Sequence, residues 1–171
     1  MTIDRRDVLS GVSVLAAGAA AVGAMTGAPG PAEAKGKMAT WEDHEAVRRT
    51  FTMYCYNIDG HKPDDLAALF TEDAVWDGGA LGKREGRQGI KDLGNFIFDT
   101  YGPGGVRHQL VNTLVSVDGD TAKVETYFNV LQGKPGQPIS FLASGTYNVD
   151  LVKQGGTWQI KHLLLTQAFA G

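Results

Sequence analysis

The order of periodicities along this chain restricts its fold more than any other feature: apolar residues at helical spacing come first, and a run of strands follows. Thr40-Trp41-Glu42-Asp43 has the form of an N-cap with an acid three residues on, so a helix starts here. Val47, Phe51, Tyr54 and Ile58 give it one apolar face, and Gly60 ends it. Pro63 suits the first turn of a second helix, with Asp64 and Asp65 favourable at its N-terminus and Leu66, Leu69 and Phe70 on its buried side. Ala74-Val75-Trp76 reads as a short strand and residues 82–88 as a loop. Ile90, Leu93, Phe96 and Ile97 make a third short helix that ends before Gly102-Pro103-Gly104-Gly105. His108 to Val117, Thr121 to Leu131, Ile139 to Val152 and Thr157 to Phe169 are rich in β-branched and aromatic residues and read as strands. Asp118-Gly119 and Gln154-Gly155-Gly156 are tight turns between them. Helices followed by strands predict an α+β architecture, with the helices on the concave face of a curved sheet and a ligand cavity between the layers.

Residues 1–34 stand apart from this pattern and are expected to be an export signal. Arg5-Arg6 precedes an Ala/Gly/Val-rich run from Gly11 to Met25, and Ala32-Glu33-Ala34 has the small-x-small form of a cleavage site. Asp4-Arg5-Arg6-Asp7-Val8-Leu9 resembles a twin-arginine signal, with Val8 where Phe is commoner. The folded domain is therefore expected over residues 35–171, in the periplasm or secreted, with no stable membrane anchoring after cleavage, because the apolar run is short and Gly-rich. The 171 residues carry a net charge of −3 and no basic block, which argues against a nucleic-acid partner. The single cysteine, Cys55, excludes an intrachain disulfide and reads as a small buried apolar residue.

Two polar residues about fifty positions apart carry the functional reading. Asp59 ends the first helix and His108 opens the first long strand. A carboxylate that orients an imidazole makes a general base from two ordinary side chains. Tyr54 and Tyr56 cannot both face a pocket, since residues two apart on a helix point about 200° apart; Tyr54 is favoured as a phenol that donates to a leaving or developing oxygen. Trp76 is either a pocket wall for a flat substrate or plain core. Asn112, four past His108, shares its strand face if the strand is regular, and Tyr127 and Asn129 share one face of the next strand. All three are candidates to line the cavity, and Arg107 points away from it. His44, His61 and His162 lack metal-ligand spacing.

The phrase from Asp59-Gly60-His61-Lys62-Pro63 through Leu69-Phe70-Thr71-Glu72-Asp73-Ala74-Val75-Trp76 is followed by Gly86-Arg87-x-Gly89-Ile90 and Arg107-His108-x-x-x-Asn112. Val117-Asp118-Gly119-Asp120 and Gly156-x-Trp158-x-Ile160 come next. Together they resemble the SnoaL-like branch of the nuclear-transport-factor-2-like superfamily, over about residues 38–168. The resemblance implies a cone-shaped α+β barrel, three N-terminal helices packed on a strongly curved mixed sheet around an apolar pocket. Enzymes of the branch, among them scytalone dehydratase, a bile-acid 7α-dehydratase and a dehydrochlorinase, abstract a proton and lose a leaving group without metal or organic cofactor. Their helix-end Asp and strand-start His fall on Asp59 and His108, and an aromatic hydroxyl of the bile-acid dehydratase falls on Tyr54. Two departures stand out. The last strand, where several members carry a catalytic Arg, has none here, and a further pocket acid falls near Asn129.

The expected activity is thus a cofactor-independent lyase acting on a small hydrophobic ring compound, with loss of water, another small leaving group or formaldehyde. A double-bond isomerase and a non-catalytic binding or assembly domain are the alternatives. A homo-oligomer is expected because the last two strands are hydrophobic on both faces, and the resemblance implies a trimer rather than a dimer.

Overall fold

The computed structural model describes residues 39–134 and 136–171, and the expected export signal lies outside them. The first helix, α1 (Trp41–Asp59), begins at a complete capping box: the Asp43 amide donates to Thr40 Oγ1 (3.2 Å) and the Thr40 amide to Asp43 Oδ2 (3.4 Å). Asp43 also reaches across the fold, accepting from Lys153 Nζ (2.6 Å) and Trp158 Nε1 (3.2 Å). Lys153 foremost, then Trp158 and Thr40, hold its carboxyl well below the usual carboxylate range. The expected apolar face of Val47, Phe51, Tyr54 and Ile58 is buried. A short second helix, α2 (Pro63–Ala68), starts on Pro63 and buries Leu66 and Ala67. The third, α3 (Gly86–Tyr101), buries Ile90 and Leu93 and stops at Gly102, whose φ of 76° favours glycine.

The strands are β1 (Phe70–Asp77), β2 (Lys83–Glu85), β3 (Val106–Asp118), β4 (Thr121–Gln132), β5 (Ser140–Gln154) and β6 (Thr157–Ala170). They form one six-stranded sheet in the order β2-β1-β6-β5-β4-β3. The β1–β6 pair is parallel and all others antiparallel, so the sheet is mixed. The sheet is open: β2 and β3 are its edges, so strand pairing does not close the expected barrel. Register shifts between Val111 and Leu114, Val130 and Leu131, Ser144 and Gly145, and Asp150 and Leu151 bend the long strands. The resulting concave face carries Ala122, Val124, Phe128, Val130, Tyr147, Val149, Leu151, Trp158, Ile160, Leu163 and Leu165, all buried. Gly145 permits one of these bends, since a Cβ there would lie 2.0 Å from the Thr166 carbonyl oxygen.

Two local expectations need correction. The short strand over 74–76 starts already at Phe70, where the Ile160 amide donates to the Leu69 carbonyl and begins the parallel pairing. Residues 82–88 are not a loop, because Lys83–Glu85 pair with β1 and α3 begins at Gly86. An edge strand of three charged residues has no apolar alternation to betray it, and such charges suit a sheet edge.

Candidate active site

The end of α1 and the start of β3 meet at the Asp59 carboxylate. Its Oδ2 accepts the backbone N–H of His108 (2.9 Å) and its Oδ1 lies 2.6 Å from the ring Nδ1. Both side chains are largely shielded, with 8% of His108 and 12% of Asp59 exposed. An ionised carboxylate only accepts, so Nδ1 carries the hydrogen and Nε2 of the neutral ring is left as an acceptor. Nε2 makes no hydrogen bond among the described residues, and His108 lines the main cavity. Asp59 does not line that cavity but a separate depression, which it shares with Tyr56, Gly60, Arg107 and His108 itself.

That cavity, of about 330 Å³, lies between the concave face of the sheet, α1 and α3. Its volume is within the range of small-molecule sites. Ile58, Leu93, Ile97, Phe128 and Leu165 supply apolar wall, and Tyr54, Trp76, Tyr147 and His108 bring polar atoms to it. Tyr54 is 1% exposed, and Trp76 Nε1 donates to its hydroxyl oxygen (3.0 Å). This bond fixes the phenol and leaves its own O–H hydrogen to donate elsewhere. The Tyr54 ring stacks on Phe51 (centroids 5.5 Å) and meets Tyr147 edge-on (5.9 Å). Burial pushes both hydroxyls up from the usual tyrosine range, so each stays a neutral donor. Burial likewise raises the Cys55 thiol, and Cys55 does not line the cavity, which suits packing rather than nucleophilic chemistry.

The structure brings Asp59, His108, Tyr54 and Trp76 into one site. It separates the other four candidates from it. Tyr56 is 69% exposed, on the side of α1 away from Tyr54, as the helical angle between them requires. Tyr127 and Asn129 lie on the outer face of β4, whose buried face is Ala122, Val124, Thr126, Phe128 and Val130. Asn112 fails for a different reason. It sits with φ 56° in a bulge where Asn112 and Thr113 oppose Thr126 alone. Burial along β3 therefore passes from His108 and Leu110 to Thr113, Val115 and Val117, and Asn112 is turned outward. A regular strand would have kept it beside His108.

Among the polar cavity residues that sequence reasoning missed are Tyr147, Arg84, Tyr101 and Gln167. Tyr147 follows the inward alternation of Gly145, Val149 and Leu151 on β5, a signal legible once the register is known. Arg84 had no signal, because its strand was hidden. It pairs with Trp76 across β1 and β2 and so shares the face of Trp76. A second, more open groove of about 620 Å³ lies between Asp73, Asp118, Lys123, Asp150 and Lys161. His162 and Asp150 also line it, but Nδ1 lies 3.8 Å from Oδ2, beyond hydrogen-bond reach, and both side chains are nearly half exposed.

Three helices against a mixed curved sheet, enclosing an apolar cavity, define the cystatin-like or nuclear-transport-factor-2-like fold. The chain belongs to the SnoaL-like family, whose domain matches residues 39–163. An uncharacterised Mycobacterium tuberculosis protein, Rv2910c, is 32% identical over 134 residues, spanning 74% of this chain and 86% of its own length. A Novosphingobium aromaticivorans structure provisionally named scytalone dehydratase is 26% identical (TM-score 0.65) and covers 74% of this chain and 85% of its own. The hexachlorocyclohexane dehydrochlorinase LinA-type3 of Novosphingobium barchaimii is 17% identical (TM-score 0.66, covering 76% and 89%) and shares the fold.

Proposed function

We propose that this protein is a cofactor-independent lyase that eliminates water or another small leaving group from a small, largely apolar ring compound. The observation that carries this reading is the Asp59–His108 pair, held at 2.6 Å with Nε2 unpaired among the described residues, where His108 and the buried Tyr54 line one apolar cavity. In dehydration, Nε2 takes a carbon-bound proton and the C–H electron pair becomes the new double bond. The C–O bond breaks toward the leaving oxygen, which accepts a hydrogen bond from Tyr54 and takes up the imidazolium proton to leave as water. Asp59 stabilises the imidazolium in between. Tyr54 serves as a hydrogen-bond donor rather than an acid, since burial disfavours its phenolate. The same base acting on a hydroxymethyl O–H proton would release formaldehyde from a lignin-derived diaryl substrate: the C–C bond breaks, its electron pair becomes the new double bond, and the adjacent hydroxyl leaves as water with the imidazolium proton.

A carboxylate-base isomerase is less well supported. Asp59 is turned to His108 and does not line the cavity. The relatives named as a dehydratase and a dehydrochlorinase support elimination over simple binding. The test is turnover of a panel of hydroxylated and methoxylated aromatic and alicyclic compounds, with product mass as readout, by wild type, His108→Ala and Asp59→Asn. Loss of water or formaldehyde that both substitutions abolish in folded protein is the expected result. Turnover indifferent to both would refute the assignment.

A further inference from the structure

The cavity carries a single Lys or Arg side chain and no Asp or Glu among its lining residues. The cation is Arg84, on the charged edge strand β2. Because Arg84 is the antiparallel partner of Trp76, and Trp76 is turned into the cavity, the arginine stem lies on the cavity face too. Leu81 and Phe96, both about half exposed, place this wall at the cavity mouth. The guanidinium has five donors. One of them, at Nη1, meets the Lys83 carbonyl (2.9 Å). Asp77 pairs with Lys83 and Glu72 with Arg87, and Glu85, next to Arg84 on β2, forms no ion pair with it. Among the described residues Arg84 has no carboxylate partner. It stands half-buried at the mouth of a mostly apolar cavity whose lining holds no other Lys, Arg, Asp or Glu side chain.

β2 and β3 are the two opposite edges of the sheet, so Arg84 and His108 stand on opposite walls of one cavity. A molecule that reaches both has an apolar body between a reacting carbon and an anionic group. We propose that Arg84 binds a carboxylate on the substrate, so that the cavity takes an amphipathic anion, a ring carboxylate, rather than a neutral hydrocarbon-like compound. This rests on the reading of the cavity as a substrate site. It also accounts for the absence of any arginine on β6, because the positive charge enters from the opposite side of β1. A guanidinium suits this task, since its planar fork matches the two carboxylate oxygens.

The test is calorimetric titration of the full chain with two matched probes, 2-naphthoate and 2-naphthylmethanol. Wild type is expected to bind the carboxylate tighter by about tenfold or more, the scale of a hydrogen bond to a charged group. Arg84→Gln should remove the preference while leaving the alcohol's affinity within about twofold, because only the charged bond is lost. Arg84→Lys, which keeps the charge and loses the fork, should retain part of it, and thermal unfolding of each variant verifies that it is folded. His108→Ala should keep the preference, which separates Arg84 from a protonated imidazole. Equal affinities in wild type, binding of neither probe, or a preference that survives Arg84→Gln would overturn the proposal. Turnover without carboxylate preference would defeat this inference alone, whereas preference without elimination by any substrate would defeat only the lyase reading.

Discussion

Asp59→Asn tests the site at the level of a single hydrogen. The carboxylate accepts two bonds from one residue, from the His108 amide and from its ring Nδ1. An asparagine has one accepting oxygen and one donating amide. If its oxygen keeps the backbone N–H, its NH₂ faces Nδ1, and the ring must present an acceptor there and carry its hydrogen on Nε2. The cavity then meets a donor where a base was. Loss of a positioned general base is worth about 10²–10⁴-fold in rate, so kcat should fall by that much. The stability cost is smaller, because the side chains are isosteric and one bond survives in neutral form. About 2 kcal/mol follows from replacing charge-assisted bonds by one neutral bond. For a domain of this size that lowers Tm by about 4–8 °C. The tautomer itself is readable without a substrate. Long-range ¹H–¹⁵N spectra of ¹⁵N-histidine protein at about pH 9, above the ordinary histidine range, separate Nδ1–H from Nε2–H rings. The chain has four histidines, and the signals lost in His108→Ala assign the one in question. Wild type should show Nδ1–H at His108 and Asp59→Asn should show Nε2–H. An Nε2–H ring in wild type, or no change in the variant, would refute the reasoning.

Three further outcomes are expected. Tyr54→Phe strands the buried Trp76 Nε1–H and should cost about 1–3 kcal/mol in denaturant unfolding; combined with Trp76→Phe, the total should fall short of the sum by about 1 kcal/mol, and strict additivity would exclude the bond. Gly78→Ala should displace the Trp76 ring, whose Cη2 would lie 2.3 Å from the new Cβ. Since φ of −92° suits alanine, the effect is steric and should appear as altered tryptophan fluorescence with a loss of about 1–3 kcal/mol. Asp43 gives a pH signature. Its folded-state pKa is depressed, so its stabilisation is complete above the ordinary carboxylate pKa and is lost as pH falls through the folded value. The Tm gap between wild type and Asp43→Asn should be constant between about pH 7 and 5 and narrow below about pH 4, and a gap that widens on acidification would contradict the Lys153 contact.

The elements that could be read in advance are those whose signal is local. Thr40 and Asp43 cap α1, four apolar residues face the core at helical spacing, and the long strands alternate between turns, so the α+β order was legible. The Asp59–His108 pair was legible in type and position, because one ends a helix and the other starts a strand. What stayed hidden depends on pairing partners. The three charged residues of β2 make a strand only because β1 lies beside them, and with that strand came Arg84. Asn112 is turned out by one extra residue in β3, and Tyr127 and Asn129 by the choice of which face of β4 meets the helices. The amino-acid sequence by itself determined which residues can form helices, strands and an acid–base pair, because periodicity and capping act over a few residues. Tertiary structure alone decided which of them share the cavity, because a bulge or a strand register is set by the neighbouring strand, and one residue of slip moves a side chain to the other face of the sheet.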